Sequence, residues 1–394
     1  MKKILRTGCV FFMLLLLLPS CAGYNARRTA ETPIVQALQT IPEDELLDVG
    51  IQVFKPGEVK AKQTEKEGTH PDTRKAESHF IPFHLKNTFQ QSSHWGMVRV
   101  IPAESTTADV LVTGKIIDSN GKTLAVKITV KDATGKTRLE KKYRATIDDD
   151  SYKDIAQGRK DVFQGLYNAI ANDTAAAMQK LRSADIKTIR RVAELKAAQD
   201  YAPDAFRHHL KTNRKGELVV NRLPATDDPM LARVLRVRER EHLFLDTLNE
   251  YYEKYYDAMW ESYNNWRTLD LTERVALAEQ KRSALMRMAG GALLVAAAVL
   301  LEASDAGNSS ILTGGLVVAG GQVFLSGVNV SKQSKMHSEA LRELGESFGS
   351  EMKPIVVEFE GRQYELTGTA KEQYTRLRKL LRQIYYAETG YAPS

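Results

Sequence analysis

Residues 122–132 alternate in polarity. Leu124, Val126, Ile128 and Val130 fall on one side of an extended chain, and Thr123, Lys127, Thr129 and Lys131 on the other. That period of two predicts a strand in a sheet with one apolar face and one wet face. Residues 108–118 and 137–147 predict its neighbours, with Ser119-Asn120-Gly121 and Ala133-Thr134-Gly135 as hairpin turns. Upstream, residues 46–54 and 96–101 read as strands on either side of a loosely periodic helix at 76–91, in which Pro82 must sit early or bend the axis. Downstream, the acidic run Asp148-Asp149-Asp150 reads as the cap of a helix over 152–181 that covers the sheet.

From residue 184 the pattern turns helical. Asp228-Pro229 is a cap followed by a first-turn proline, and Leu245, Leu248, Tyr252, Tyr255, Met259, Tyr263 and Trp266 recur every three or four residues as one buried stripe. Tyr251, Tyr256 and Trp260 lie off that stripe. They are candidates for a partner-binding face, with core shared among several helices as the competing reading. Thr268-Leu269 reads as a break, after which Asp270 and Glu273 form a capping box. Residues 288–301 and 311–328 are charge-free and crowded with small side chains, including Gly290, Gly291, Gly314, Gly315, Gly320, Gly321 and Gly327. Such a density of glycine allows helix axes to approach closely, as membrane helix pairs do. Lys281, Arg282, Arg287, Lys332 and Lys335 flank the pair, so the hairpin is expected to enter a bilayer tip first, or else to be buried in protein. Its first arm would reach only about 21 Å against a hydrocarbon core of roughly 30 Å. Residues 338–350 read as a helical connector, 355–359 and 363–367 as a hairpin about Glu360-Gly361, and 370–386 as an amphipathic helix whose Lys371, Arg376, Arg378, Lys379 and Arg382 form a solvated face.

The fold class expected is α+β: an antiparallel meander sheet with covering helices, then a mainly helical region with a glycine-rich apolar hairpin, and a small C-terminal β-hairpin plus helix. The expected boundaries are 1–20, 21–45, 46–183, 184–287, 288–330 and 331–394.

The amino terminus adds a location. Lys2, Lys3 and Arg6 precede an apolar run from 10 to 18, the layout of an export signal and too short for a permanent span. Leu18-Pro19-Ser20-Cys21 resembles the lipobox of bacterial lipoproteins, with Pro19 standing where alanine or serine is commoner. The resemblance implies cleavage before Cys21, acylation of its sulfur, and residues 22–45 as a polar tether. In such lipoproteins a residue like Ala22 goes with the outer membrane. The chain has two cysteines; with Cys9 in the removed segment, no disulfide is expected. The 56 basic residues, less the three of the signal, leave 53 against 49 acidic ones, too small an excess to point to nucleic acid.

The order strand, helix, strand, meander, helix, with Ala108-Asp109-Val110-Leu111-Val112-Thr113-Gly114-Lys115-Ile116, resembles the α+β domain of curli-secretion-type assembly lipoproteins and of the amino-terminal domain of TolB. It covers residues 46–181 and implies docking of envelope proteins or of further copies. No catalytic motif accompanies it. Gly121-Lys122-Thr123 and Gly135-Lys136-Thr137 lack the earlier glycine of a phosphate loop, and His208-His209, taken as helical neighbours, would point apart. The expectation is therefore a non-enzymatic envelope lipoprotein without cofactor or metal. Its expected partners are membrane lipid through Cys21 and the apolar hairpin, other envelope proteins, and copies of itself. The alternative is a periplasm-spanning lipoprotein that activates a cell-wall enzyme.

Overall fold

The computed structural model describes residues 32–58, 71–103, 105, 108–148, 151–152, 160–302, 339–340, 342–343, 346, 352–359 and 362–389. Among them, β1 (Val49–Gln52), β2 (Val98–Ile101), β3 (Val110–Ser119), β4 (Thr123–Asp132) and β5 (Thr137–Thr146) form one sheet in the order β2-β1-β3-β4-β5. β1 is parallel to both its neighbours, and β3, β4 and β5 are an antiparallel meander, so the fold is α+β with a mixed sheet. The alternation read in β4 holds: Leu124, Val126, Ile128 and Val130 are all fully buried, while Lys127, Thr129 and Lys131 stand on the open side.

The buried face is covered by α1 (Pro71–Gln91) and α2 (Gln164–Gln179). α1 begins five residues earlier than the spacing predicts and carries Pro82 in its interior. Proline has no N–H for the Ser78 carbonyl four residues back. The Phe54 N–H, just beyond β1, donates to that carbonyl instead at 2.9 Å. The Phe54 ring lies over Gly114 of β3, where a Cβ would stand 2.5 Å from its carbons. The absence of a side chain in the middle of β3 thus lets helix, strand and loop lock together.

Three expectations are corrected here. The Asp148–Asp150 run does not cap α2, whose helix starts at Gln164; the Phe163 N–H just before it donates to Asp161 Oδ1 at 2.8 Å. Asp149 and Asp150 themselves lie outside the described residues. Gly121 is not in the left-handed region that its turn implied, although Gly135 is, at φ +87°. Gly121 is instead required by contact, because a Cβ there would meet the Arg267 carbonyl oxygen at 2.1 Å. Finally, the tether is docked from Thr32 onward. Asn168 and Asn172 of α2 donate to the carbonyls of Thr32 and Pro33 at 2.8 and 2.9 Å, and the Val35 N–H donates back to Asn172 Oδ1.

Next come α3 (Ser183–Tyr201), α4 (Pro203–Phe206) and a small hairpin of β6 (Leu210–Thr212) with β7 (Leu218–Val220), which the helical pattern had concealed. α5 (Pro229–Glu302) follows without interruption. Asp228 caps it as expected, accepting the Met230 N–H at 2.8 Å. The break at Thr268-Leu269 is absent, and Asp270 is not a capping-box residue: its Oδ2 accepts the Gly121 N–H at 2.7 Å and an Arg274 hydrogen bond at 2.6 Å. Tertiary bonds have claimed the side chain that local reasoning assigned to a helix start. The C-terminal unit is β8 (Ile355–Phe359) and β9 (Arg362–Leu366), paired antiparallel, and α6 (Ala370–Thr389). Tyr374, Leu377, Leu381 and Ile384 bury one side of α6.

Candidate functional site

The feature that organises the molecule is α5, whose 74 residues extend about 110 Å at the helical rise. Its first half belongs to the core. Leu248, Met259 and Tyr263 are fully buried, and the rest of the predicted stripe is nearly so. The stripe packs on α1 and on β2, the outer strand of the sheet. Among the described side chains, Leu271 is the last of α5 to be buried. From 276 to 280 every residue is exposed, which exceeds one full turn and therefore leaves no side of the helix against the body. Arg282 and Ser283 are exposed as well, and the helical backbone then continues through the first apolar run to Glu302. The described side chains of α5 thus pass from buried core to an exposed stretch, and we call the part of the helix beyond Leu271 the arm.

Polar groups buried inside the first half hold the arm's root. Arg267 and Asp161 are both fully buried and joined by two hydrogen bonds, at 2.8 and 3.2 Å. Burial by itself would raise Asp161, but the Arg267 charge beside it prevails and keeps the carboxyl below its ordinary range. Arg267 also lies over the Tyr263 ring at 4.2 Å. The Tyr263 hydroxyl donates to Glu77 Oε1 of α1 at 2.7 Å, and the Ser119 hydroxyl at the end of β3 donates to the same oxygen. Burial raises Glu77, offset in part by Arg74, 3.7 Å away, and by these hydroxyls. One oxygen therefore ties helix, sheet and arm at a single point. Further along, Tyr374 of α6 donates to the buried Glu241 at 2.5 Å.

The three aromatic candidates are engaged within the chain. Tyr256 is 7% exposed, stacks on Phe80 with 4.6 Å between ring centres, and shares a 2.7 Å hydrogen bond with His84. Trp260 is half-buried beside Phe80 and His84. The half-buried Tyr251 accepts the Lys353 N–H at 2.6 Å, holding the C-terminal unit. A surplus of aromatic rings on α5 therefore answers to two neighbours, α1 and the C-terminal hairpin. Burial lowers His84, which is neutral at physiological pH and completes a hydrogen bond to Gln164 at 2.8 Å. The basic face of α6 is likewise not wholly solvated, because Arg378 and Arg382 both pair with Asp200 of α3.

Of the remaining candidates, Gly290 and Gly291 lie on the helical backbone of α5. Cys21, Gly314, Gly315, Gly320, Gly321 and Gly327 fall outside the described residues, as does the whole second arm of the apolar hairpin. Among the described residues no helix is long and apolar enough to cross a membrane. No group of His, Cys, Asp and Glu among them could hold a metal. His208 and His209 lie in a turn before β6, not on a helix, and His209 Nδ1 sits 2.8 Å from the Arg222 carbonyl.

Two depressions mark the surface. An open basin of about 580 Å³ is lined by Glu43, Asp44, Lys187, Arg190, Arg191 and Glu194, and its charges are spent on one another: Lys187 pairs with Asp44 at 2.6 Å and Arg191 with Glu194 at 2.7 Å. A crevice of about 20 Å³ beside Arg99, Arg238 and His242 has room for little more than a water molecule. The buried carboxylates Glu77 and Glu241 line neither.

The residues that pattern reading missed are the polar ones inside the α5 stripe. Asn249 falls four residues after Leu245 and three before Tyr252, and Arg267 four after Tyr263. A polar side chain at a buried helical position needs a partner, which was the available signal. No family model, curated protein or solved structure matches the chain.

Proposed function

We propose that this chain is a lipid-anchored component of the bacterial envelope whose folded body docks assembly partners and whose α5 arm delivers an apolar, glycine-rich segment into a membrane. The observation that carries the reading is the exposure of residues 276–280, 282 and 283, which lie between that segment and the core. An apolar run meant for the body's own interior would not be expected to follow more than a turn of helix with every side chain exposed. The basic residues Arg282 and Arg287 stand just before the run, where anionic headgroups would meet the helix. Insertion is envisaged as a dip without a crossing by this arm, since the run is about 21 Å long. Docking of the chain from Thr32 leaves ten residues between Cys21 and the body, a reach of about 36 Å. That shortened tether weighs against a regulator that must stretch across a periplasm.

Alkaline carbonate extraction of the Cys21→Ser protein tests the arm. The unacylated chain should remain with the membrane pellet, and full release to the supernatant would refute insertion. Radiolabelled palmitate incorporation, present in the natural sequence and lost in Cys21→Ser, tests the anchor separately.

A further inference from the structure

The open face of the sheet carries one continuous rung of lysine. Lys55 pairs in register with Lys115 of β3, Lys115 with Lys127 of β4, and Lys127 with Lys142 of β5. Residues in register point to the same face of a sheet, so four ammonium groups share one side, over roughly 14 Å at a strand spacing of about 4.8 Å. Lys55, Lys115 and Lys142 are exposed. Lys131 and Arg144 extend the same face, the latter paired with Asp118 at 3.0 Å. Among the described residues, Glu140 is the carboxylate paired within the rung, with Lys127. Like charges directly opposite one another across strands destabilise a sheet. A solvated face requires no such arrangement, because alternating signs would serve it better.

We infer that this face rests on an anionic lipid surface. The inference rests on the lipid-anchored reading above and adds to it the orientation of the body. A sheet face is broad and has no walls, so it suits an extended plane of phosphate better than a small anion that needs enclosing donors. The anchor is also near. Residues 32–35 are held by Asn168 and Asn172 of α2, and the adjacent Asp173 pairs with Lys141 of β5 at 2.7 Å. The tether therefore joins the body at α2, on the covered side of the sheet beside its β5 edge, and a chain confined within about 36 Å of the bilayer can still bring the basic face round that edge to the headgroups at high effective concentration.

The test is co-sedimentation of the full-length Cys21→Ser protein with vesicles of phosphatidylcholine, alone or mixed with phosphatidylglycerol, beside a Lys55→Glu/Lys115→Glu/Lys142→Glu variant in the same background. The parent should bind the anionic vesicles at least about tenfold better than neutral ones, with the preference falling as salt rises, and the variant should lose most of that preference, keeping at most the share of Arg282 and Arg287 at the arm. Relief of like-charge repulsion should leave the variant's melting temperature equal or higher, so lost binding cannot be ascribed to unfolding. An anionic preference that survives undiminished in the variant would overturn the inference, since other basic residues would then be responsible. So would a parent with no such preference, or one that binds polyglutamate and not vesicles, which would make the occupant an acidic polypeptide. Carbonate release alone would remove the inserting arm and leave this result standing.

Discussion

The side-chain amide of Asn249 on α5 closes the outer edge of the sheet at Val100. Its Oδ1 accepts the Val100 N–H at 2.8 Å and its Nδ2 donates to the Val100 carbonyl at 2.9 Å, the pair of bonds that another strand would make. Nδ2 also donates to the Leu245 carbonyl at 2.7 Å, fixing the amide's orientation. One residue away, Arg99 grips Asp246 through two bonds of 2.6 and 3.0 Å. An open strand edge invites pairing with other chains, and here a helix covers it.

Asn249→Ala should therefore strand a buried N–H and a buried C=O together, at a cost of about 2–4 kcal/mol. Asn249→Asp should be at least as damaging, because a carboxylate would face the Val100 carbonyl with no hydrogen to offer. Urea unfolding followed by tryptophan fluorescence measures both, and a loss below about 0.5 kcal/mol for Asn249→Ala would show the edge bonds to be dispensable.

The buried pair Arg267–Asp161 predicts an asymmetry. Arg267→Met leaves Asp161 charged and enclosed, so the single variant should lose about 3–5 kcal/mol. Adding Asp161→Asn removes the stranded charge and should recover a large part of that loss. Chemical denaturation of the two variants and the parent checks the order, and equal stability of single and double variants would contradict it.

Much of this architecture is legible in the pattern of residues, and the exceptions share a cause. The alternation in β4, the stripe on α5 and the cap at Asp228 are signals contained within one element. Gly121 and Asp270 depart from expectation because each carries a local signal and serves a distant contact: Gly121 admits the backbone at Arg267, and Asp270 binds the Gly121 N–H; in the same way the Ser78 carbonyl freed by Pro82 receives Phe54. The β6–β7 hairpin escaped notice because three-residue strands are too short to show a period, although Gly216 at φ +79° marks its turn. The lysine rung is invisible to any linear scan, since it exists only once the register of three strands and the bridge at Lys55 is known. Exposure of the arm at 276–280 was hidden for a similar reason: Leu277 and its alanine neighbours look as buriable as the stripe before them.

Asp109 predicts a pH dependence. Its Oδ2 accepts the Asp48 N–H at 2.9 Å, and burial pushes its carboxyl up to about 6 from 3.8, against the lowering effect of that bond and of Arg238. The folded state thus holds its proton longer than the unfolded chain does. The associated stability is present below about pH 4 and is lost as pH climbs through about 6, by at most about 3 kcal/mol. Asp109→Asn cannot ionise, so its stability relative to the parent should rise between pH 4 and 6 and level off above 7. Thermal melts across that window measure the difference, and a difference independent of pH would refute the assignment.

The arm predicts a local defect with no global one. Proline inside a helix costs about 3 kcal/mol or more, by removing one hydrogen bond and clashing with the preceding turn. Ala278 lies in a turn whose side chains are all exposed, so Ala278→Pro should fray the arm while leaving the core undisturbed. The three tryptophans, Trp95, Trp260 and Trp266, all lie in the body, so their fluorescence reports core unfolding alone. Its midpoint should move by less than the equivalent of about 0.5 kcal/mol, while far-ultraviolet circular dichroism shows a loss of helix. The same proline at Ala258, within the buried span of α5, should abolish the fold. Were Ala278→Pro to shift the fluorescence transition by several degrees, residues beyond Leu271 would have to be bracing the core, and α5 would be a strut of the body instead of an arm extending from it.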